Sequence, residues 1–240
     1  MEILKITLLG LFFGTFGTTI GGIIGLVIRN NSKRFISFIL SFASGLMMAI
    51  ICFDLIPEAF KITNIVIVII GIILGTICMI MCDNIVKTKL KVKDSSMLQT
   101  GIIVSIGLAI HNLPEGLAIG SGFEASLKLG LGLAIAICFH DIPEGISMAV
   151  PMKSGGMNSK KVILYIILSG LTTGIGALLG GIIGGISQEI IAICLSFAAG
   201  CMLYIVSGEL IPESNNLYKG RLSSIGNVLG FIIGILTALI

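Results

Sequence analysis

Apolar residues run along this chain in long blocks, with short polar stretches between them. Eight blocks reach the 17 to 25 residues that span a bilayer as a helix, at about 4–28, 35–59, 62–82, 98–121, 127–151, 160–184, 189–212 and 223–240. The predicted fold is an all-α integral membrane protein, a single transmembrane domain over 1–240. The longest polar stretch, about 83–97, carries KTKLKVKDSS and reads as a short basic loop. The first block is too long for the apolar centre of a signal peptide and has neither a basic leader nor a small-residue cleavage pattern, so it reads as a retained span.

Composition agrees. Hydrophobic residues make up 55% of 240 positions and charged residues 11%, and the mean hydropathy of +1.12 excludes a water-soluble domain. Charge then orients the chain, because Lys and Arg collect in cytoplasmic loops. With the N-terminus outside, twelve basic residues fall inside: Arg29, Lys33, Arg34, Lys87, Lys89, Lys91, Lys93, Lys153, Lys160, Lys161, Lys219 and Arg221. Only Lys5, Lys61 and Lys128 stay outside. Both termini are therefore expected to be extracytoplasmic, and the net charge of +3 reports topology. No basic stretch is interleaved with aromatics, so no nucleic-acid partner is expected. Compact loops without a targeting extension point to a bacterial inner membrane. The six cysteines all fall inside spans without a CxxC and read as apolar fillers. Glycine runs at 17–25 and 176–185 suit close helix packing and would permit a homodimer.

The chemistry lies where polar residues interrupt the apolar blocks. HNLPEG at 111–116 and HDIPEG at 140–145 contain both histidines of the chain. In each, His and Glu stand four apart (His111 and Glu115, His140 and Glu144), one turn apart on one helix face. Asn112 and Asp141 add oxygen donors, and Pro114 and Pro143 leave the carbonyls of Ile110 and Phe139 without their helical donors. A charge at the bilayer centre costs roughly 2.5 to 3.5 kcal/mol on insertion scales, so such residues mark a functional site. Imidazole together with carboxylate and amide oxygens suits Zn²⁺, Fe²⁺ or Mn²⁺, whereas Mg²⁺ or Ca²⁺ calls for oxygen alone.

A second pattern is a repeat of the first and last three spans. Phe42 to Glu58 ends in DLIPE and Phe197 to Glu213 ends in ELIPE; GGIIG at 21–25 matches 180–184, and GIILG at 71–75 matches GFIIG at 230–234. Span 2 runs outward and span 7 inward, so the triplets are expected to be inverted copies in a 3+2+3 arrangement, a transporter pattern. Asp54 and Glu58 then stand at an entrance and Glu209 and Glu213 at an exit, while Met47 and Met202, at matching positions, offer soft thioether donors. Seven of the twelve acids sit in these four motifs.

With these motifs the chain resembles the ZIP family of divalent metal transporters, in particular its bacterial GufA-like and ZupT-like branches. The resemblance covers essentially the whole chain. It implies a midplane site between spans 4 and 5 made by His111, Asn112, Glu115, His140, Asp141 and Glu144, with His111, Glu115, His140 and Glu144 as the primary set. Met47 matches the family's span 2 methionine and Asp54 its outer entrance residue. The family position of His140 varies between His and Gln, which ranks His111 as the firmer ligand. The resemblance also implies an elevator-like movement of spans 1, 4, 5 and 6 against spans 2, 3, 7 and 8. One departure is Thr173, which stands where bacterial relatives carry the carboxylate of a binuclear centre. The implied function is uptake of divalent transition metals into the cytoplasm, Zn²⁺ foremost and Fe²⁺, Mn²⁺, Co²⁺ or Cd²⁺ besides; the metal is cargo and the protein is not an enzyme. A membrane-embedded metal-dependent hydrolase is the alternative, but HExxH is absent and the DLIPE and ELIPE copies would have no role in one.

Overall fold

A computed structural model describes residues 2–27, 32–90 and 97–238. Among these are eight helices long and apolar enough to cross a membrane: α1 (Ile3–Val27), α2 (Lys33–Ile62), α3 (Ile65–Leu90), α4 (Met97–Ala125), α5 (Leu127–Ser154), α6 (Ser159–Gly184), α7 (Gln188–Leu217) and α8 (Arg221–Ala238). Each of the eight apolar blocks has become one helix of this multi-pass membrane protein. The boundaries differ most around 83–97. Helix α3 runs on to Leu90 and α4 starts at Met97, because Lys and Leu are good helix formers and the Tyr204 hydroxyl donates to Asp83 Oδ2 at 2.6 Å, holding that turn against α7. Arg29, Lys91 and Lys93 lie outside the described residues.

The helices are arranged for lipid. On α1, Leu4, Leu8, Phe12, Phe16 and Ile23 point outward and are exposed, while Gly10, Gly14, Gly17, Gly21 and Gly25 are buried. A stripe that large would drive aggregation in water; in a bilayer it is solvated, and the small residues admit neighbouring backbones. A side chain at Gly21 would overlap the Ile142 carbonyl of α5.

Two groups of helices result. Helix α1 lies along α5 and α6, and α4 along both of these as well; α2 lies along α8, and α3 along α7. The two groups meet chiefly where α4 faces α7 and α2 faces α5.

Packing within the groups recurs at a fixed offset. Gly45 of α2 abuts the Asn227 carbonyl of α8, and Gly200 of α7 abuts the Ile72 carbonyl of α3; Gly230 abuts the Phe42 carbonyl as Gly75 abuts that of Phe197. All are 155 residues apart (45 to 200, 75 to 230, 42 to 197, 72 to 227). The glycine matches expected from sequence are each one turn out. Contacts equate Gly75 with Gly230, not with Gly234, and Gly21, against Ile142, with Gly176, against Leu113. Glycines spaced by four let letters slip by a turn at no cost, whereas two backbones seat in one register.

Neither Ile50–Leu55 in α2 nor Val206–Leu210 in α7 is α-helical. Both are π turns, in which Ile56 N–H donates to Ile51 O and Ile211 N–H to Val206 O. Pro57 and Pro212 follow directly and have no N–H with which to continue the α ladder. The widened turns carry Asp54 and Glu209, in keeping with the frequent use of π bulges at functional sites.

Candidate metal site

Helices α4 and α5 bring the two motifs together, and glycine sets how deep they sit. Gly116 follows Glu115 and abuts the Thr173 carbonyl of α6; Gly145 follows Glu144 and abuts the Thr18 carbonyl of α1. The carboxylates are thus enclosed by backbone on both flanks. Glu115, His140, Asp141 and Glu144 each offer a ligand atom, and these atoms all lie within 4.8 Å of one another. His140 Nε2 is 3.2 Å from Glu115 Oε1, 3.5 Å from Glu144 Oε1 and 3.6 Å from Asp141 Oδ1.

All four residues are fully buried. None of the six carboxylate oxygens takes part in a hydrogen bond among the described residues, and neither does either ring nitrogen of His140. Buried carboxylates without hydrogen bonds cost several kcal/mol each unless a cation compensates them. The donor set, three carboxylates and one imidazole, fits a single divalent ion of the borderline class.

Three neutral polar residues lie nearby. Asn112 Nδ2 donates to the Ser169 carbonyl at 3.1 Å, tying α4 to α6; among the described residues its Oδ1 has no hydrogen bond, nor do the buried hydroxyls of Ser169 and Thr173.

His111 takes a different place from the one its motif suggests. Its Nε2 lies 3.1 Å from Glu209 Oε2 of α7, so the two matched histidines differ: His140 sits among three carboxylates and His111 bridges to the other helix group. The His111 Nδ1 is buried without a hydrogen bond among the described residues, so His111 too keeps a ring nitrogen with which a metal could be held. Glu209 was expected at an exit, and the structure brings it to His111 at the edge of the cluster, since it lies on the π turn. Nothing in the letters gives this contact directly; an acid three residues before Pro212, as Asp54 precedes Pro57, is the signal that could have.

The remaining expected residues are spread along the molecule. Asp54 and Glu58 are half-buried at the end of α2 and Glu213 is exposed near the end of α7. Glu58 pairs with Lys61 at 2.8 Å, and Asp54 has no hydrogen bond or ion pair among the described residues. Met47 and Met202 are fully buried in the apolar core.

Comparison with known proteins adds three findings. The family model described as ZIP Zinc transporter matches residues 87–240. The zinc transporter ZIP11 of Xenopus tropicalis is 35% identical over 148 residues, 59% of this chain and 44% of that protein; the zinc transporter ZupT of Clostridium perfringens is 38% identical over 147 residues, 60% of this chain and 52% of that protein. The match thus spans about half the length of these relatives. Longer similarity is found to the zinc transporter ZupT of Chlorobium limicola, 31% identical over 242 residues and covering 89% of both chains.

Proposed function

This chain belongs to the ZIP zinc transporter family, and we propose that it carries divalent transition-metal cations across the membrane through the cluster of Glu115, His140, Asp141 and Glu144. The observation that carries this reading is the set of six buried carboxylate oxygens without hydrogen bonds around one imidazole. Three negative charges in a bilayer interior call for a cation, and the nitrogen donor favours Zn²⁺, Fe²⁺ or Mn²⁺ over Mg²⁺ and Ca²⁺. Zn²⁺ comes first because the relatives are named zinc transporters. With all four ligands in one sphere and Thr173 uncharged, one metal ion is carried at a time.

The route runs from Asp54 and Glu58 to the cluster and onward past His111 and Glu209 to Glu213, into the cytoplasm, with both termini outside. Because the four ligands are fully buried, the ion exchanges with water only when the helix groups shift, as in alternating access. A hydrolase would keep a coordination position open to water, which a sealed site does not.

The deciding experiment is flux of Zn²⁺, Fe²⁺, Mn²⁺, Mg²⁺ and Ca²⁺ into proteoliposomes holding the purified protein. Saturable flux of the transition metals, with Mg²⁺ and Ca²⁺ excluded, is the expected result; no flux of any ion would end the proposal. Isothermal titration of the same protein should give one Zn²⁺ per chain.

Two further outcomes follow from the geometry. His140→Ala should weaken Zn²⁺ binding by at least about tenfold more than His111→Ala, since only His140 stands among the carboxylates; calorimetry of both variants checks this, and equal losses would return His111 to the first coordination sphere. Protons compete with metal for imidazole and carboxylate. Uptake should therefore fall as the external pH drops from 7 to 5, with Zn²⁺ affinity falling in parallel.

A further inference from the structure

A groove at the seam of the two helix groups has no part in the metal site. Ile39, Phe42 and Leu46 of α2 face Phe139, Ile142 and Ile146 of α5 across a half-open slot of about 230 Å³, which Pro143 and Ile233 of α8 complete. Every lining side chain is apolar. Leu46, Pro143 and Ile146 are buried and make the floor, whereas Phe139 and Ile233 are exposed and make the rim. The slot therefore opens sideways into the bilayer. It borders the ligand helix without including a ligand, because His140, Asp141 and Glu144 lie between the lining residues in sequence and project from other faces of α5.

Size and depth select the occupant. One turn of an α-helix, 10–12 Å across with its side chains and 5.4 Å long, displaces roughly 400 to 600 Å³. A helix of a second copy is thus too wide for the slot, and a single hydrocarbon chain is not. Along α2, Ile39 is six residues and Leu46 thirteen residues from Lys33. The groove accordingly runs from roughly 9 to 20 Å from that end of the helix, which is the depth of the acyl chains of one leaflet in a hydrocarbon core about 30 Å thick.

An acyl chain gains little by leaving lipid for an equally apolar slot, so selection has to come from the headgroup. The groove ends in cations. On α2 the stripe of Leu46, Phe42, Ile39 and Phe35 descends to Lys33 and Arg34 at the start of the helix, and on α5 Ile146 and Val150 lead at helical spacing to Lys153. All three basic residues are exposed, and none is paired with a carboxylate among the described residues. Arg34 lies over the Tyr218 ring at 4.9 Å and Lys153 donates to Ser159 Oγ at 2.9 Å; both contacts leave the positive charge uncompensated. Basic pockets between membrane helices attract anionic headgroups.

We propose that the groove between α2 and α5 is a binding site for an anionic phospholipid, with one acyl chain in the slot and the phosphate of the headgroup among Lys33, Arg34 and Lys153. With both termini outside, this lipid belongs to the cytoplasmic leaflet. The site stands apart from the transport reading, since none of its residues is a metal ligand.

The chain contains no tryptophan, so a single introduced indole reports its own lipid neighbours. Ile233→Trp sets one on the rim of the groove, and Phe12→Trp sets one on the exposed face of α1, in bulk lipid. Each variant is placed in phosphatidylcholine vesicles holding a minor fraction of phosphatidylglycerol with brominated acyl chains, which quench an indole they touch. The converse vesicles carry the bromine on phosphatidylcholine. Brominated phosphatidylglycerol should quench Ile233→Trp at least about twofold more than Phe12→Trp. Adding Lys33→Gln, Arg34→Gln and Lys153→Gln together should remove that difference while Zn²⁺ binding persists, which shows that the variant is folded. Equal quenching of the two indoles by brominated phosphatidylglycerol would mean that ordinary bulk lipid fills the groove, and it overturns the proposal. Failure of either brominated lipid to quench Ile233→Trp overturns it in favour of a second copy of the chain covering the groove. A difference that survives the triple substitution removes the three cations from the site and overturns it as well.

Discussion

Glu144→Gln is expected to abolish Zn²⁺ uptake while making the metal-free protein more stable. Both effects come from one change of charge. The glutamine keeps the size of the side chain, so the packing of Gly145 on α1 is undisturbed and a loss of uptake cannot be assigned to a cavity. What changes is that one of three carboxylates gathered within 4.8 Å becomes neutral. Even outer-sphere partners of a metal site typically contribute 10- to 100-fold in affinity, and a direct ligand contributes more, so Zn²⁺ affinity should fall by at least about 100-fold. In the absence of metal the sign reverses, because like charges in a low-dielectric interior repel and the native cluster carries the full cost. For a chain of this size about 1 kcal/mol moves the melting temperature by roughly 2 to 4 °C. The metal-free variant should melt several degrees higher than the native protein in the same detergent. Added Zn²⁺ should raise the Tm of the native protein and leave that of the variant unchanged. Uptake by the correctly inserted variant at the native rate would remove Glu144 from the site.

The fold and the motif pair were legible in the sequence for different reasons. Span number depends on the length of apolar runs, which a bilayer enforces residue by residue, and it survived into all eight helices. The pairing of HNLPEG with HDIPEG could be read because each carries its ligands at helical spacing. What the letters lacked was distance between helices. His111 and His140 occupy equivalent motif positions, yet only His140 turns to the carboxylates, and the difference is made by Glu209, which lies more than sixty positions away on α7. The π turns were equally silent, since Ile50–Leu55 and Val206–Leu210 are composed like the α-helix around them and only the prolines that follow hint at a change. The extension of α3 to Leu90 is not legible in the sequence because lysines read as loop chemistry, although a helix leaving the membrane bears lysine well. The repeat was visible in its DLIPE and ELIPE ends, but its glycine register was fixed only by which carbonyl each glycine faces.

That dependence on backbone contact gives the second large effect, a contrast between two glycines of α5. Replacing glycine by alanine inside a helix gains about 1 kcal/mol of propensity when nothing else changes. At Gly132 no atom of a neighbouring element lies within 4 Å of the added methyl, so Gly132→Ala should leave uptake intact and keep or slightly raise the melting temperature. At Gly145 the methyl would overlap the Thr18 carbonyl and crowd the Gly22 nitrogen. Both are backbone atoms of α1, which no rotamer change can move aside. Overpacking of this kind costs typically 1 to 3 kcal/mol, which outweighs the propensity gain, and relief requires α1 to move away from α5 beside Glu144. Gly145→Ala should therefore lower the melting temperature by several degrees and lose most Zn²⁺ uptake, even though it alters no ligand. Thermal melts and flux of the two variants, prepared side by side, check the contrast. If Gly145→Ala proves as harmless as Gly132→Ala, the seating of α1 on α5 does not hold the carboxylates in place, and the depth of the site must be set by α4 and α6 instead.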